Sequence, residues 1–175
     1  MIRLRYKAFA GLCVLITGFA GGCSHDYDFP LEPVLSYKDF VLEKNQDGLL
    51  TQGILMLEFT DGDGDIGLSQ GDTLPPYHLG GDNYYNFFID LYYKSGTGYE
   101  KVTFPDTSYT FNSRIPRIEL NGKSKAIRGV IEYTFDLQLM LPFLQSDTLQ
   151  VRTSITDRAL HRSNLVTSPD IAIVP

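Results

Sequence analysis

From residue 127 to residue 139 apolar and polar side chains alternate almost without a break. Ile127, Gly129, Ile131, Tyr133, Phe135, Leu137 and Leu139 fall on one face, and Arg128, Val130, Glu132, Thr134, Asp136 and Gln138 on the other. A period of two buries one face of a strand and wets the other. The pattern recurs at 148–156 (Leu149, Val151, Ile155), 53–60 (Leu55, Leu57, Phe59) and 86–94 (Phe87, Ile89, Leu91, Tyr93). Fainter runs cover 33–43, 99–104 and 165–174. Pro169 interrupts the last, which places it at an edge or a bulge. Ser95-Gly96-Thr97-Gly98 has the composition of a hairpin turn. No segment beyond residue 22 carries a helical period.

Seven strands follow: A (33–43), B (50–60), C (84–95), D (99–104), E (126–139), F (147–157) and G (164–174). Short antiparallel strands separated by turn residues predict an all-β fold, an immunoglobulin-like antiparallel β-sandwich. If successive strands alternate in direction, loops B–C, D–E and F–G emerge at one pole, where strand A also begins. A substantial helical layer, or an aspartate turn at the pole away from residue 33, would contradict this picture.

The chain opens differently. Arg3, Arg5 and Lys7 precede an apolar stretch from Ala8 to Ala20, and Ala20-Gly21-Gly22 lead directly to Cys23. A basic lead, a short apolar core and small residues before a cut site make a secretory signal. The stretch falls short of the roughly 20 residues of a membrane span. Small residues before cysteine resemble the lipobox of bacterial lipoproteins, with Ala20 where that motif usually has Leu. Residues 1–22 then form a lipoprotein signal peptide, 23–32 an anchor and tether, and 33–175 the sandwich domain. Cys13 leaves with the signal and Cys23 carries lipid, so no disulfide forms in the mature chain. Asp26 and Asp28 in the tether resemble the acidic export signals that send Bacteroidetes lipoproteins to the cell surface.

The chain has a formal charge of −6, and cleavage would remove three further basic residues. Nucleic acid is excluded as a partner on that ground. Between residues 26 and 90 the only bases are Lys38 and Lys44, whereas Arg114, Arg117, Lys123, Lys125, Arg158 and Arg162 come later. The two halves either meet within one fold or mark an acidic site.

The most unusual acidic stretch is Thr60-Asp61-Gly62-Asp63-Gly64-Asp65-Ile66-Gly67-Leu68-Ser69-Gln70-Gly71-Asp72. Alternate aspartates supply hard oxygen ligands, and the intervening glycines let the backbone turn tightly about an ion. Asp61, Asp63, Asp65 and Asp72 are thus candidate calcium ligands, spaced as positions 1, 3, 5 and 12 of an EF-hand loop. Ile66 stands where an EF-hand has glycine, Asp72 replaces its glutamate, and flanking helices are missing, so an EF-hand proper is not expected. The competing reading is an acidic turn that is solvated, or neutralised by the basic residues of loops D–E and F–G.

In loop F–G, Asp157-Arg158-Ala159-Leu160-His161-Arg162-Ser163 looks like the Asp-x-Ala-Gly-Asn-x-Ser hairpin of bacterial immunoglobulin-like domains, with Leu160-His161 in place of Gly-Asn. There Asp157 is expected to cap the turn rather than bind metal. The chain also resembles a group of Bacteroidetes envelope lipoproteins of unassigned biochemical role. The resemblance rests on Phe59 to Leu68, Asp72-Thr73-Leu74-Pro75-Pro76, Arg114-Ile115-Pro116-Arg117 and Asp157-Arg158-Ala159-Leu160. It implies an extracytoplasmic sandwich on a lipid anchor and carries no activity with it.

Other signals point less far. Gly67-Leu68-Ser69-Gln70-Gly71 matches the nucleophile-elbow pattern, but that elbow belongs to a strand-to-helix turn on a parallel sheet. His25, His78 and His161 have no ligand spacing for zinc. Phe88 and Tyr92 fall on the outward face of strand C, either as a binding stripe for a glycan or protein partner or packed under a neighbour. The chain therefore reads as a non-enzymatic binding or accessory module, held by lipid on Cys23 at the outer membrane, on its periplasmic face or at the cell surface. The alternatives are a structural subunit of an outer-membrane uptake or attachment complex and, more distantly, a hydrolase.

Overall fold

A computed structural model describes residues 28–106, 109–118 and 126–173. The signal, Cys23, His25, Asp26, Lys123 and Lys125 lie outside them. Two antiparallel sheets face each other. One has the order β1 (Val34–Lys44), β2 (Leu50–Asp61), β5 (Ile127–Asp136). The other has the order β4 (Gly98–Lys101), β3 (Phe87–Ser95), β6 (Thr148–Ile155), β7 (Val166–Thr167), with β8 (Ile171–Ala172) also on β6. The chain is an all-β, immunoglobulin-like sandwich of eight strands. Its fourth strand joins β3, rather than the first sheet as in constant-type immunoglobulin domains.

The alternation sorts side chains as the sequence predicts. Leu55, Leu57 and Phe59 of β2 and Phe87, Ile89, Leu91 and Tyr93 of β3 are buried, as are Leu149, Val151 and Ile155 of β6. Edge-to-face rings run through the interior: Phe87 meets Tyr133, Tyr133 meets Phe135, Phe135 meets Phe111 and Phe111 meets Phe104, with centroids 4.8–5.6 Å apart. Ser95 pairs with Gly98 across the expected two-residue turn.

Four boundaries depart from expectation, the first being that of strand D, expected to reach residue 104 but ending as β4 at Lys101. The alternation of strand E continues to Leu139, yet β5 stops at Asp136, whose Oδ1 accepts from the N–H groups of Gln138 and Leu139. That cap starts a single helical turn, α1 (Leu137–Met140), followed by a 3₁₀ turn at Leu141–Phe143 containing Pro142. Leu137 and Met140 still reach the core. Strand C begins at Phe87, because Tyr84–Asn86 belong to the preceding loop. Strand G is divided at Ser168-Pro169 into β7 and β8. There Ser168 Oγ takes the Val151 N–H at 2.9 Å, filling the break in the ladder.

Loops 62–86, 102–126 and 156–165 leave the strands at one pole, where β1 also begins, since Val34 pairs with Thr60 at the end of β2. Leu68 bridges to Pro116, and Asn164 binds both the N–H and the C=O of Leu35. Among the described residues no helix is long and apolar enough to cross a membrane.

Leu57 is fully buried and Leu49, in the hairpin at the other pole, is exposed. Leu57→Ala is expected to lower unfolding stability by about 2–5 kcal/mol and Leu49→Ala by no more than about 0.5 kcal/mol. Urea denaturation of the two variants checks this.

Candidate metal centre

The inward parity of β2 runs Leu55, Leu57, Phe59 and then Asp61, its last residue. The inward parity of β6 runs Leu149, Val151, Thr153, Ile155 and, just past the strand, Asp157. The two sheets thus each deliver one aspartate to the pole end of the apolar core. Both are buried, Asp61 fully and Asp157 to 1% exposure. Beyond Asp61 the chain must turn at once. Gly62 lies beneath the Phe29 and Pro30 backbone, where a Cβ would come within 2.4 Å of the Phe29 carbonyl oxygen. Gly64 has φ +70, a conformation costly for L side chains. These turns bring Asp63 and Asp65 back beside Asp61, and the loop is then pinned by Ile66, which is buried in the core.

Asp61, Asp63, Asp65 and Asp157 each place a carboxylate oxygen within 4.8 Å of the others, and the group could hold a metal ion. At that separation two full charges repel by about 3.5 kcal/mol at an effective dielectric of 20. Hydrogen bonds absorb some of the oxygens. Asp61 Oδ2 accepts from the Asp65 N–H at 2.9 Å, and Asp65 Oδ1 from the Arg158 N–H at 3.3 Å. Asp157 Oδ1 accepts from the His161 N–H at 2.8 Å, and its Oδ2 lies 2.9 Å from His161 Nδ1. Asp61 Oδ1 and Asp63 Oδ1 are buried with no hydrogen-bond partner among the described residues. Burial, reinforced by Asp63, Asp65 and Asp157, raises the Asp61 carboxyl to about 6. Burial, with Asp157 and Asp63, also raises Asp65. The His161 imidazole is raised by its bond to Asp157.

Asp72, expected as the fourth ligand, does not join the group. Its Oδ2 accepts from the Ser69 N–H at 2.7 Å and the Ser69 hydroxyl at 2.9 Å, and pairs with Arg158 Nη1 at 2.5 Å. Burial pushes its carboxyl upward, but the Ser69 bonds and Arg158 outweigh that and hold it below the ordinary value. Three basic residues offered as neutralising partners are committed elsewhere. Arg158 goes to Asp72. Arg114 donates to the carbonyls of Tyr77, Tyr84, Ser69 and Asp72. Arg162 donates to Ser154 Oγ. They shape the loop around the aspartates without discharging them. Asp157 takes the fourth place, and it also caps the turn as its motif suggests.

No family model, curated protein or solved structure matches this chain.

The remaining candidates are dispersed. Phe88 and Tyr92 do face outward from β3, but the guanidinium of Arg162 lies over the first ring at 5.1 Å and that of Arg152 over the second at 4.0 Å. The Ser69 hydroxyl is spent on Asp72. The His78 ring packs near Gly81, and His161 meets the carboxylate group through Asp157. The sequence did contain a signal for Asp157 as a core-facing carboxylate, namely the parity of β6 extended by one step.

The raised Asp61 carboxyl fixes the sign of a pH effect. Its folded-state value of about 6 lies above the ordinary 3.8, so its contribution favours folding below about pH 4 and is lost as pH rises through 6. Asp65 acts in the same sense. The lowered Asp72, Glu100 and Asp170 lose their contributions only as pH falls below their ordinary range. Raised His161 loses its contribution as pH rises above its own ordinary value of 6.5. Chelator-treated protein is therefore expected to lose a few kcal/mol of stability between about pH 4 and 6.5. Asp61→Asn should flatten that slope in thermal melts across this range.

Proposed function

We propose that the chain is a calcium-stabilised, non-enzymatic binding or accessory module, tethered to the outer membrane of a bacterial envelope by lipid on Cys23. The observation that carries the metal part is the pair of buried carboxylate oxygens, Asp61 Oδ1 and Asp63 Oδ1, left without partners inside a four-aspartate group. An uncompensated buried carboxylate is costly, and a cation removes the cost. Calcium holds oxygens at about 2.3–2.6 Å, so oxygens on opposite sides of it are up to about 5 Å apart. The oxygens of the group all lie within 4.8 Å of one another, inside that diameter. Magnesium, at about 2.0–2.1 Å, would draw opposed ligands to about 4 Å, and zinc favours nitrogen and sulfur donors.

The anchor part is supported by the basic lead, apolar core and Ala20-Gly21-Gly22-Cys23 junction of the sequence. It is also supported by the entry of the chain into the fold at the metal pole, across Gly62. The non-enzymatic part is supported by the commitment of Ser69 to Asp72. In this reading the ion holds one end of the sandwich in a single shape, as a scaffold for the binding loops around it. A subunit of an outer-membrane uptake or attachment complex is the second reading. A stoichiometric partner in a native pull-down from membranes would favour it.

Calcium at about 100 times its Kd should stabilise the domain by about 2.7 kcal/mol. Asp63→Asn combined with Asp65→Asn should abolish that gain, and magnesium should reproduce little of it. Calorimetry with calcium, magnesium and chelator checks all three, and an unchanged melt in millimolar calcium would refute the metal assignment. For the anchor, Cys23→Ser should remove the acyl mass and release the chain from the membrane fraction, measured by intact-mass spectrometry and detergent partitioning.

A further inference from the structure

The metal pole is acidic, yet the apex of its 62–86 loop is uncharged and apolar. Residues 73–81, Thr-Leu-Pro-Pro-Tyr-His-Leu-Gly-Gly, contain no Asp, Glu, Lys or Arg. Leu74 and Leu79 are 75% and 77% exposed, the highest values among the exposed large apolar residues. The apex is nonetheless held in place. Between the two leucines, Tyr77 gives its hydroxyl to the Arg158 carbonyl and its own carbonyl accepts from Arg114. A third exposed leucine tips the neighbouring loop. Leu160 has φ +70, the only described residue other than glycine at positive φ. Leucine is strained in that conformation, where glycine would not be, and it is 42% exposed.

The described chain enters at the same pole, with the Phe29 and Pro30 carbonyls packed over Gly62. Asp28 is five residues after Cys23. Five residues extend at most about 17 Å. On the anchor reading, on which this inference rests, so short a leash keeps the metal pole close to the bilayer.

We propose that this pole is a lipid-docking surface, with Leu74, Leu79 and Leu160 entering the headgroup region of the bilayer that holds Cys23. Apolar side chains presented at such a boundary settle about 5–10 Å into it. Calcium in the aspartate group would favour the approach by lowering the negative charge of this pole.

The test uses the full chain, expressed with its signal and reconstituted into phosphatidylcholine vesicles with millimolar calcium. On the anchor reading the processed chain has no free thiol, so Leu74→Cys, Leu79→Cys and Leu160→Cys can each be labelled with an environment-sensitive fluorophore. Leu49→Cys, at the opposite pole, is the control. Nitroxide-bearing lipids are expected to quench the three pole labels several-fold more than the control. Equal, weak quenching at all four positions overturns the docking surface. Labels that report an apolar setting without lipid quenching also overturn it, because a second copy of the chain would then be the occupant. Intact mass of the same samples separates the two ideas. An acylated chain with unquenched labels refutes docking alone, whereas a chain without acyl mass refutes the anchor and the docking together.

Discussion

The constraint that organises this domain is where its alternation of apolar side chains ends. Two strands on opposite sheets, β2 and β6, carry leucine, valine, isoleucine and phenylalanine on their inner faces, and each continues in the same register into an aspartate. Asp61 and Asp157 therefore sit where core residues would sit, facing each other across the mouth of the sandwich. A carboxylate there cannot turn to solvent without moving the strand that holds it. The loop chemistry around them answers that fixed placement. Asp63 and Asp65 are brought in by the glycine turns, Ile66 closes the core beneath, and the arginines tie the surrounding loops through carbonyls and Asp72.

Seen from the charge, the arrangement separates two kinds of acid. Asp72 is served by two donors from Ser69 and by Arg158, and it is stable as an anion. Asp61 and Asp65 have backbone donors but lie among like charges, and burial raises both. Arg114 and Arg158 are thus spent on shaping the 68–86 loop, and His161 is the basic side chain that meets the inner aspartates, at Asp157. That division leaves a group that could hold a cation, whereas a cluster threaded with guanidinium groups would have been complete by itself.

Much of the fold was legible because strand parity is a local property. The faces of β2, β3, β5 and β6, the hairpin at Gly96 and the gathering of three loops at one pole all follow from runs of five to ten residues. The end of β5 was not, because Leu137 and Leu139 continue the strand pattern while Asp136 caps a helical turn, and the cap prevailed. The site was half legible. Asp61, Asp63 and Asp65 are close in sequence and turn-coupled. Asp72 shares their spacing but is captured by an arginine 86 residues away, and Asp157 arrives from the other sheet. Spacing along the chain reports neither event. Phe88 and Tyr92 were correctly placed outward, but the arginines that lie over them come from positions 152 and 162.

The broken edge beside β6 has its own effect on how such a domain behaves in company. A continuous outer strand would offer a row of open amide and carbonyl groups on which another chain could build. Here that border is two fragments of two residues each, separated by a serine that turns its hydroxyl inward and a proline that has no amide hydrogen to give. Molecules crowded side by side would find no length of rail at that border to continue, whereas the other sheet keeps the unbroken outer strands β1 and β5.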